Sequence, residues 1–204
     1  VRDASCFEDF RRDLCTVQHD FVFLTDHRDA FTQYEFPDVL LFKPERGDVL
    51  VERGGVPTAN RAACPKGRGA LIMAGTEAGT MPVGLEGHAG DRSVRGDLYG
   101  RDDAEAMAAL KAKGAVVLVA HTESWSADTL ATRPFDGFEM YNLHANTFLE
   151  MGKVLQLLTD LVDGREGMTH PDLAFLHIQK EDPAYLSRWG SVLARGVKRV
   201  TTMG

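Results

Sequence analysis

The chain has 204 residues, 44% hydrophobic and 26% charged, which suits one globular domain with a sizeable core. A formal net charge of -7, with Lys and Arg scattered along the chain, argues against a sequence-independent nucleic-acid binder, because phosphate neutralisation needs a basic cluster. No run approaches the roughly 20 apolar residues of a membrane helix.

The three cysteines, Cys6, Cys15 and Cys64, are odd in number and lack C-x-x-C spacing. Neither a disulfide framework nor a thiolate zinc site is indicated, and free thiols are expected. The chain opens on Val1 without a charged-then-apolar leader. The expectation is a segment of a longer, soluble protein, either cytoplasmic or exported with a removed signal peptide.

In chain order, helix signals alternate with strand signals. Ser5 and Glu8 have capping-box spacing, and Phe7, Phe10, Leu14 and Val17 recur at helical intervals as one buried stripe. "FVFLTDH", Phe21 to His27, then reads as a strand built for burial that stops on Asp26 and His27, side chains costly to bury unless something binds them. Residues 43–70 are rich in Gly, Pro and Arg and read as a long excursion, with a small hairpin around "DVLVE". "ALIMAG" returns to strand character and leads into Thr76 and Glu77.

"DDAEAMAALKAKG" is helical, with Asp102 as cap and Gly114 as stop. "AVVLVAH" is a fully apolar strand ending on His121. "FDGFEMYNLH" gives a short strand, and residues 146–163 give a helix with Leu155, Leu158, Leu161 and Val162 on one side. "EDPAYLSRWGSVLARG" is a helix capped by Asp182, with Pro183 at its first position, and "VKRVTTMG" begins a last strand.

Strands separated by helices predict an α/β fold with a mainly parallel sheet, and such folds collect ligands at the carboxyl ends of their strands. Asp26, His27, Glu77 and His121 all fall at or just past such ends. His27, His88 and His121, with Glu77, offer imidazole and carboxylate donors suited to Zn, Mn or Fe. No compact H-x-x-x-H spacing joins them, and a structural role is the alternative for each histidine taken alone.

Five stretches carry a family likeness. "VQHDFVFLTDH" resembles the Thr-Asp-His strand of the PHP (polymerase and histidinol phosphatase) metal-dependent phosphoesterases, and "LIMAGTEAGT" resembles their strand leading to Gly-x-Glu. "LEGH", "GAVVLVAHTES" and "FDGFEMYN" are similar to the three motifs that follow, in the same order over nearly the whole chain. The long excursion and the "GTEAGT...LEGH" form look most like the CehA/McbA-type branch.

The resemblance implies a distorted seven-stranded, TIM-like (β/α) barrel, a single metallohydrolase domain over residues 1–204, and two or three divalent metal ions. Carried across, His27, Glu77, His88 and His121 are the metal ligands, Glu77 bridging, and Asp26 orients a ligand or water. The family's opening His-x-His and closing Asp-x-His motifs are lacking, and both would fall beyond the ends of this chain.

The implied activity is hydrolysis of a small-molecule phosphoester by a metal-activated water, lost when His121 is replaced by Ala. Arg28 would hold a phosphate oxygen, unless it is a surface residue paired with Asp29 or Glu35. His144 would serve as acid, base or substrate contact, or else cap the following helix; Asn142 would contact substrate; Trp125 would form a substrate wall, or else pack as core or lid. Hydrolysis of a carbon-centred ester, amide or carbamate is the second reading and a non-catalytic binding module the third. Cations in the cleft favour phosphate, and an apolar cleft favours the carbon-centred alternative.

Overall fold

The computed structural model describes residues 4–17, 19–66, 69–141, 150–162 and 182–203. The chain divides into two compact units, Val1–Val119 with Pro134–Asp136, and Ala120–Arg133 with Gly137–Gly204.

The first unit is organised around one strand. Helix α1 (Ala4–Thr16) leads to β1 (Phe21–His27), the short helix α2 (Arg28–Phe31), the strands β2 (Val49–Arg53) and β3 (Val56–Ala62), and then β4 (Ala70–Glu77). β4 pairs in parallel with β1 along their whole length, from Phe21 opposite Leu71 to His27 opposite Glu77. A strand has two edges, so its antiparallel partners share the other one. β3 takes residues 70–72, and β5 (Met81–Leu85) takes Ala74 and Gly75 after a register shift. Gly75 lies where these strands converge: a Cβ there would come within 2.9 Å of the carbonyl oxygens of both Leu24 and Pro82. Helices α3 (Arg95–Gly100) and α4 (Ala104–Lys111) follow, and β6 (Val116–Val119) pairs antiparallel with β5.

This arrangement corrects the expected seven-stranded barrel. The unit holds an open sheet of mixed direction, in the order β2-β3-β4-β5-β6 with β1 beside β4. The physical reason is in the connections. β2 and β3 turn at Gly54 and Gly55, with φ of +61° and +79°, a conformation suited to a tight hairpin, and no helix intervenes before β4 or between β4 and β5. A barrel of repeated crossovers needs a helix after each strand, and here the long excursion supplies antiparallel strands instead.

The apolar alternation of β1 is also split. Val22 and Leu24 pack with Phe10 against a core of Leu14, Ala62, Ala70 and Ile72. Phe21 and Phe23, on the opposite face, remain 55% and 38% exposed. Phe7 and Leu14 of α1 are buried as expected, whereas Val17 is exposed beyond the helix end. α4 takes its cap from Asp103, whose carboxylate accepts the Glu105 and Ala106 N–H groups, and not from Asp102.

The excursion is held by a buried ion pair. Arg11 donates to both carboxylate oxygens of Asp48 at 2.7 and 3.0 Å, and to the Ala63 carbonyl at 3.1 Å. Asp48, with its side chain wholly buried, also accepts from the backbone of Lys43 and Ala63 and from Asn60 Nδ2. Cys15 and Cys64 form a disulfide nearby, joining α1 to the segment after β3, which overturns the expectation of three thiols and leaves Cys6 as the cysteine outside a disulfide. At 49 residues of separation, loop closure alone is worth roughly 4 kcal/mol.

The second unit begins with a 3-10 turn (Thr122–Ser124) and α5 (Ala127–Thr132), capped by the Ser126 hydroxyl. β7 (Gly137–Tyr141), α6 (Met151–Val162), α7 (Pro183–Ala194) and β8 (Val200–Met203) follow, with β7 and β8 parallel. Asp182 caps α7 as expected, accepting the Ala184 N–H at 2.9 Å. In α6 it is Leu157 that is buried, while Leu155 and Leu158 are exposed. Arg199 donates to the Leu130, Ala131 and Arg133 carbonyls, closing the end of α5.

Burial pushes the Asp48 carboxyl up, but the bonds from Arg11, Ala63 and Asn60 outweigh it and hold the pKa below the ordinary aspartate value. A depressed carboxylate pKa stabilises the fold at pH values above the unfolded value, about 4, and that contribution disappears as pH falls through the folded one. Asp48→Asn is expected to cost about 3–5 kcal/mol by leaving Arg11 buried without its counter-charge, and to flatten the acid limb of stability. Urea unfolding at neutral and acid pH measures both.

Candidate functional site

The parallel register of β1 and β4 sets the site. His27 and Glu77 are direct partners at the carboxyl ends of the two strands, so their side chains leave the same face of the sheet. One residue earlier, the buried Thr76 donates its hydroxyl to the Asp26 carbonyl at 2.7 Å, which ties the strand ends together. A cavity of about 350 Å³ opens there, with walls from His27, Arg28 and Asp29 on one side and Glu77, Ala78, Gly79 and Gly100 on the other. Asp26 does not line it; its carboxylate is exposed, and strand alternation directs it away from His27.

The turn after β4 is tight. Ala78 donates its backbone N–H to the Thr80 carbonyl, and Gly79 donates to the Tyr99 carbonyl at 3.3 Å. A Cβ at Gly79 would lie 2.5 Å from the Gly100 carbonyl oxygen, so only glycine allows the β4 turn and the end of α3 to approach this closely. Gly79 and Gly100 escaped the reading of the sequence, where "EAGT" and "LYGR" carry no sign that they meet.

Arg28 begins α2 and contributes its 41% exposed side chain to the cleft. Its Nε donates to Asp29 at 3.2 Å. The other suggested partner, Glu35, is instead held by the buried Arg95 through two bonds of 2.7 and 3.0 Å, which lower the Glu35 pKa.

His88 does not line this cleft. Its Nε2 is 2.7 Å from the Tyr34 carbonyl, and its ring is surrounded by Phe31, Phe36 and Tyr99 at centroid distances of 4.8, 5.5 and 6.2 Å. Nδ1 is buried without a hydrogen-bond partner among the described residues. Burial lowers the pKa of this imidazole, and burial also pushes the neighbouring Tyr99 phenol up to about 12.

His121 and Trp125 belong to the second unit. His121 has a left-handed backbone, φ +54° and ψ +51°, and its N–H donates to the buried carboxylate of Glu139 at 3.1 Å. The Thr122 hydroxyl donates to the Glu139 carbonyl at 2.6 Å, and Arg188 ties the Thr122 and Glu123 carbonyls to α7. Glu139, not singled out from "GFEMY", therefore fixes the His121 turn; a lone acid inside an apolar strand is the signal that could have found it. Trp125 is half-buried beneath the Arg133 guanidinium, 5.4 Å from the ring centroid. Asn142 and His144 lie outside the described residues.

Among the described residues, no three His, Cys, Asp or Glu side chains are grouped to hold a metal ion. The imidazole and carboxylate of His27 and Glu77 are the right donor types for part of a divalent-ion shell, whereas His88 is committed to its aromatic surroundings. A larger cavity of about 790 Å³ lies along α1, but its arginines, Arg11, Arg12 and Arg46, are each bound by carboxylates. No protein-family model, curated protein or solved structure matches the chain.

The buried His88 ring gives a pH signature. Its lowered folded pKa means that, as pH falls below the ordinary value near 6.5, the unfolded chain takes up a proton that the folded chain refuses. Stability is therefore expected to decline over that window and level off below the folded pKa. His88→Phe should remove this slope in thermal melts taken across the range.

Proposed function

We propose that this chain is a metal-dependent hydrolase of the phosphoesterase type, with His27 and Glu77 contributing to a divalent-cation site. The observation that carries the reading is the register pairing of those two residues in a cleft that also holds Arg28. It agrees with the motif resemblance at the two stretches where that resemblance assigns ligands, "TDH" and "GTE". A divalent ion there would supply Lewis acidity and a water of lowered pKa.

The chain's own groups account for the rest of the reading. Arg28 offers a forked cation to a phosphate oxygen beside the ligand pair. The cleft walls are mostly polar or glycine, which supports phosphate over a carbon-centred ester. Asp26 is better placed to brace the strand end than to touch substrate. No helix among the described residues is long and apolar enough to cross a membrane. The Cys15–Cys64 bond supports the exported alternative, since disulfides persist in oxidising compartments.

Titration calorimetry with Mn²⁺ or Zn²⁺ tests the site. His27→Ala and Glu77→Gln are each expected to weaken metal binding at least about tenfold and to abolish hydrolysis of a generic aryl phosphoester. Unchanged metal affinity in both variants would defeat the assignment.

A further inference from the structure

Gly100 closes α3 at the wall of the cleft opposite Arg28. A Cβ built at residue 100 would lie 2.2 Å from Arg28 Nη1, 3.5 Å from its Cζ and 3.9 Å from its Cδ. The three nearest atoms thus all belong to one side chain, and the guanidinium lies directly against the space that a side chain at residue 100 would fill. Gly79 differs: its Cβ would strike the backbone of Gly100 and Arg101, which cannot swing aside.

The two glycines therefore have different reasons to be glycine. Gly79 permits the chain to close, while Gly100 permits Arg28 to lie where it does. Gly100 has no positive φ, so nothing in its own backbone demands the residue type. Arg28 makes one side-chain bond among the described residues, from Nε to Asp29. Neither Nη group donates to a described residue, and the side chain lines the cleft with Nη1 against Gly100.

We propose that Arg28 forms an oxyanion subsite beside His27 and Glu77, and that Gly100 is the positioning residue that sets it. The ligand is a phosphoryl group, recognised by the forked Nη donors through charge-assisted hydrogen bonds. The choice of phosphoryl rests on the hydrolase reading above; the positioning of Arg28 by Gly100 does not. Replacing Gly100 by Ala displaces the far end of a flexible side chain and leaves the backbone untouched, so the variant keeps its fold while losing the subsite.

The test is a titration of inorganic phosphate into the metal-free chain, followed by phosphorus NMR, for the native protein, Gly100→Ala, Arg28→Gln and the double variant. Gly100→Ala should weaken phosphate binding about tenfold with no fall in melting temperature, and the double variant should bind no worse than Arg28→Gln alone. That non-additivity separates positioning from a general structural effect. Native-like phosphate affinity in Gly100→Ala, additive losses in the double variant, or no phosphate binding by the native chain would each overturn the proposal. Phosphate binding with this pattern but no metal-dependent hydrolysis would sustain the subsite and remove the hydrolase reading. Hydrolysis with additive losses would do the reverse.

Discussion

The in-register parallel pairing of β1 with β4 is the constraint on which the rest of the first unit depends. Seven consecutive residue pairs run from Phe21 opposite Leu71 to His27 opposite Glu77, and the Thr76 hydroxyl fastens the final step. Because side chains alternate with period 2, a slip of one residue would send Glu77 to the other face and part it from His27. Gly75 guards that register, since the carbonyls of Leu24 and Pro82 approach it too closely for any side chain. The local demand for glycine and the placement of the functional pair are therefore one requirement.

Parallel partners need a connection that leaves the sheet and returns, and here it is the long segment between β1 and β4. That segment would be costly to order by apolar contacts alone, because its composition is rich in Gly, Pro and Arg. Asp48 solves this by collecting five donors from α1, the excursion and β3: two from Arg11, one from Asn60 Nδ2 and one each from the Lys43 and Ala63 backbone. The disulfide lies beside this knot and ties the same two regions. Stability and site geometry are thus coupled through chain topology, although Asp48 touches nothing in the cleft.

Local elements and strand ends were legible in the sequence because they rest on short-range signals. The capping of α7 by Asp182, the hairpin around "DVLVE", and strands that lead into His27 and Glu77 follow from spacing and turn chemistry, although β4 runs two residues past "ALIMAG". Strand β5 was not legible, because "MPVGL" lies in a Gly-rich stretch and carries a Pro and a Gly within five residues, so its antiparallel return beside β4 was hidden. Partner choice was equally hidden: Cys15 and Cys64 are 49 residues apart, and Arg95 takes Glu35 in place of Arg28. His88 shows the limit of residue type as a guide, since an imidazole suited to a metal is equally suited to an aromatic surround with one carbonyl contact.

The backbone of His121 has a further meaning. A side chain with a β-carbon held at φ +54° costs on the order of 1 kcal/mol relative to glycine, and the Glu139 carboxylate is needed to receive its amide. Glycine would reach the same backbone conformation at less expense. The turn at residue 121 and the buried carboxylate of Glu139 are therefore coupled. The direction in which the imidazole leaves the chain, 3.7 Å from the Glu123 carboxylate, depends on a side chain 18 residues further on.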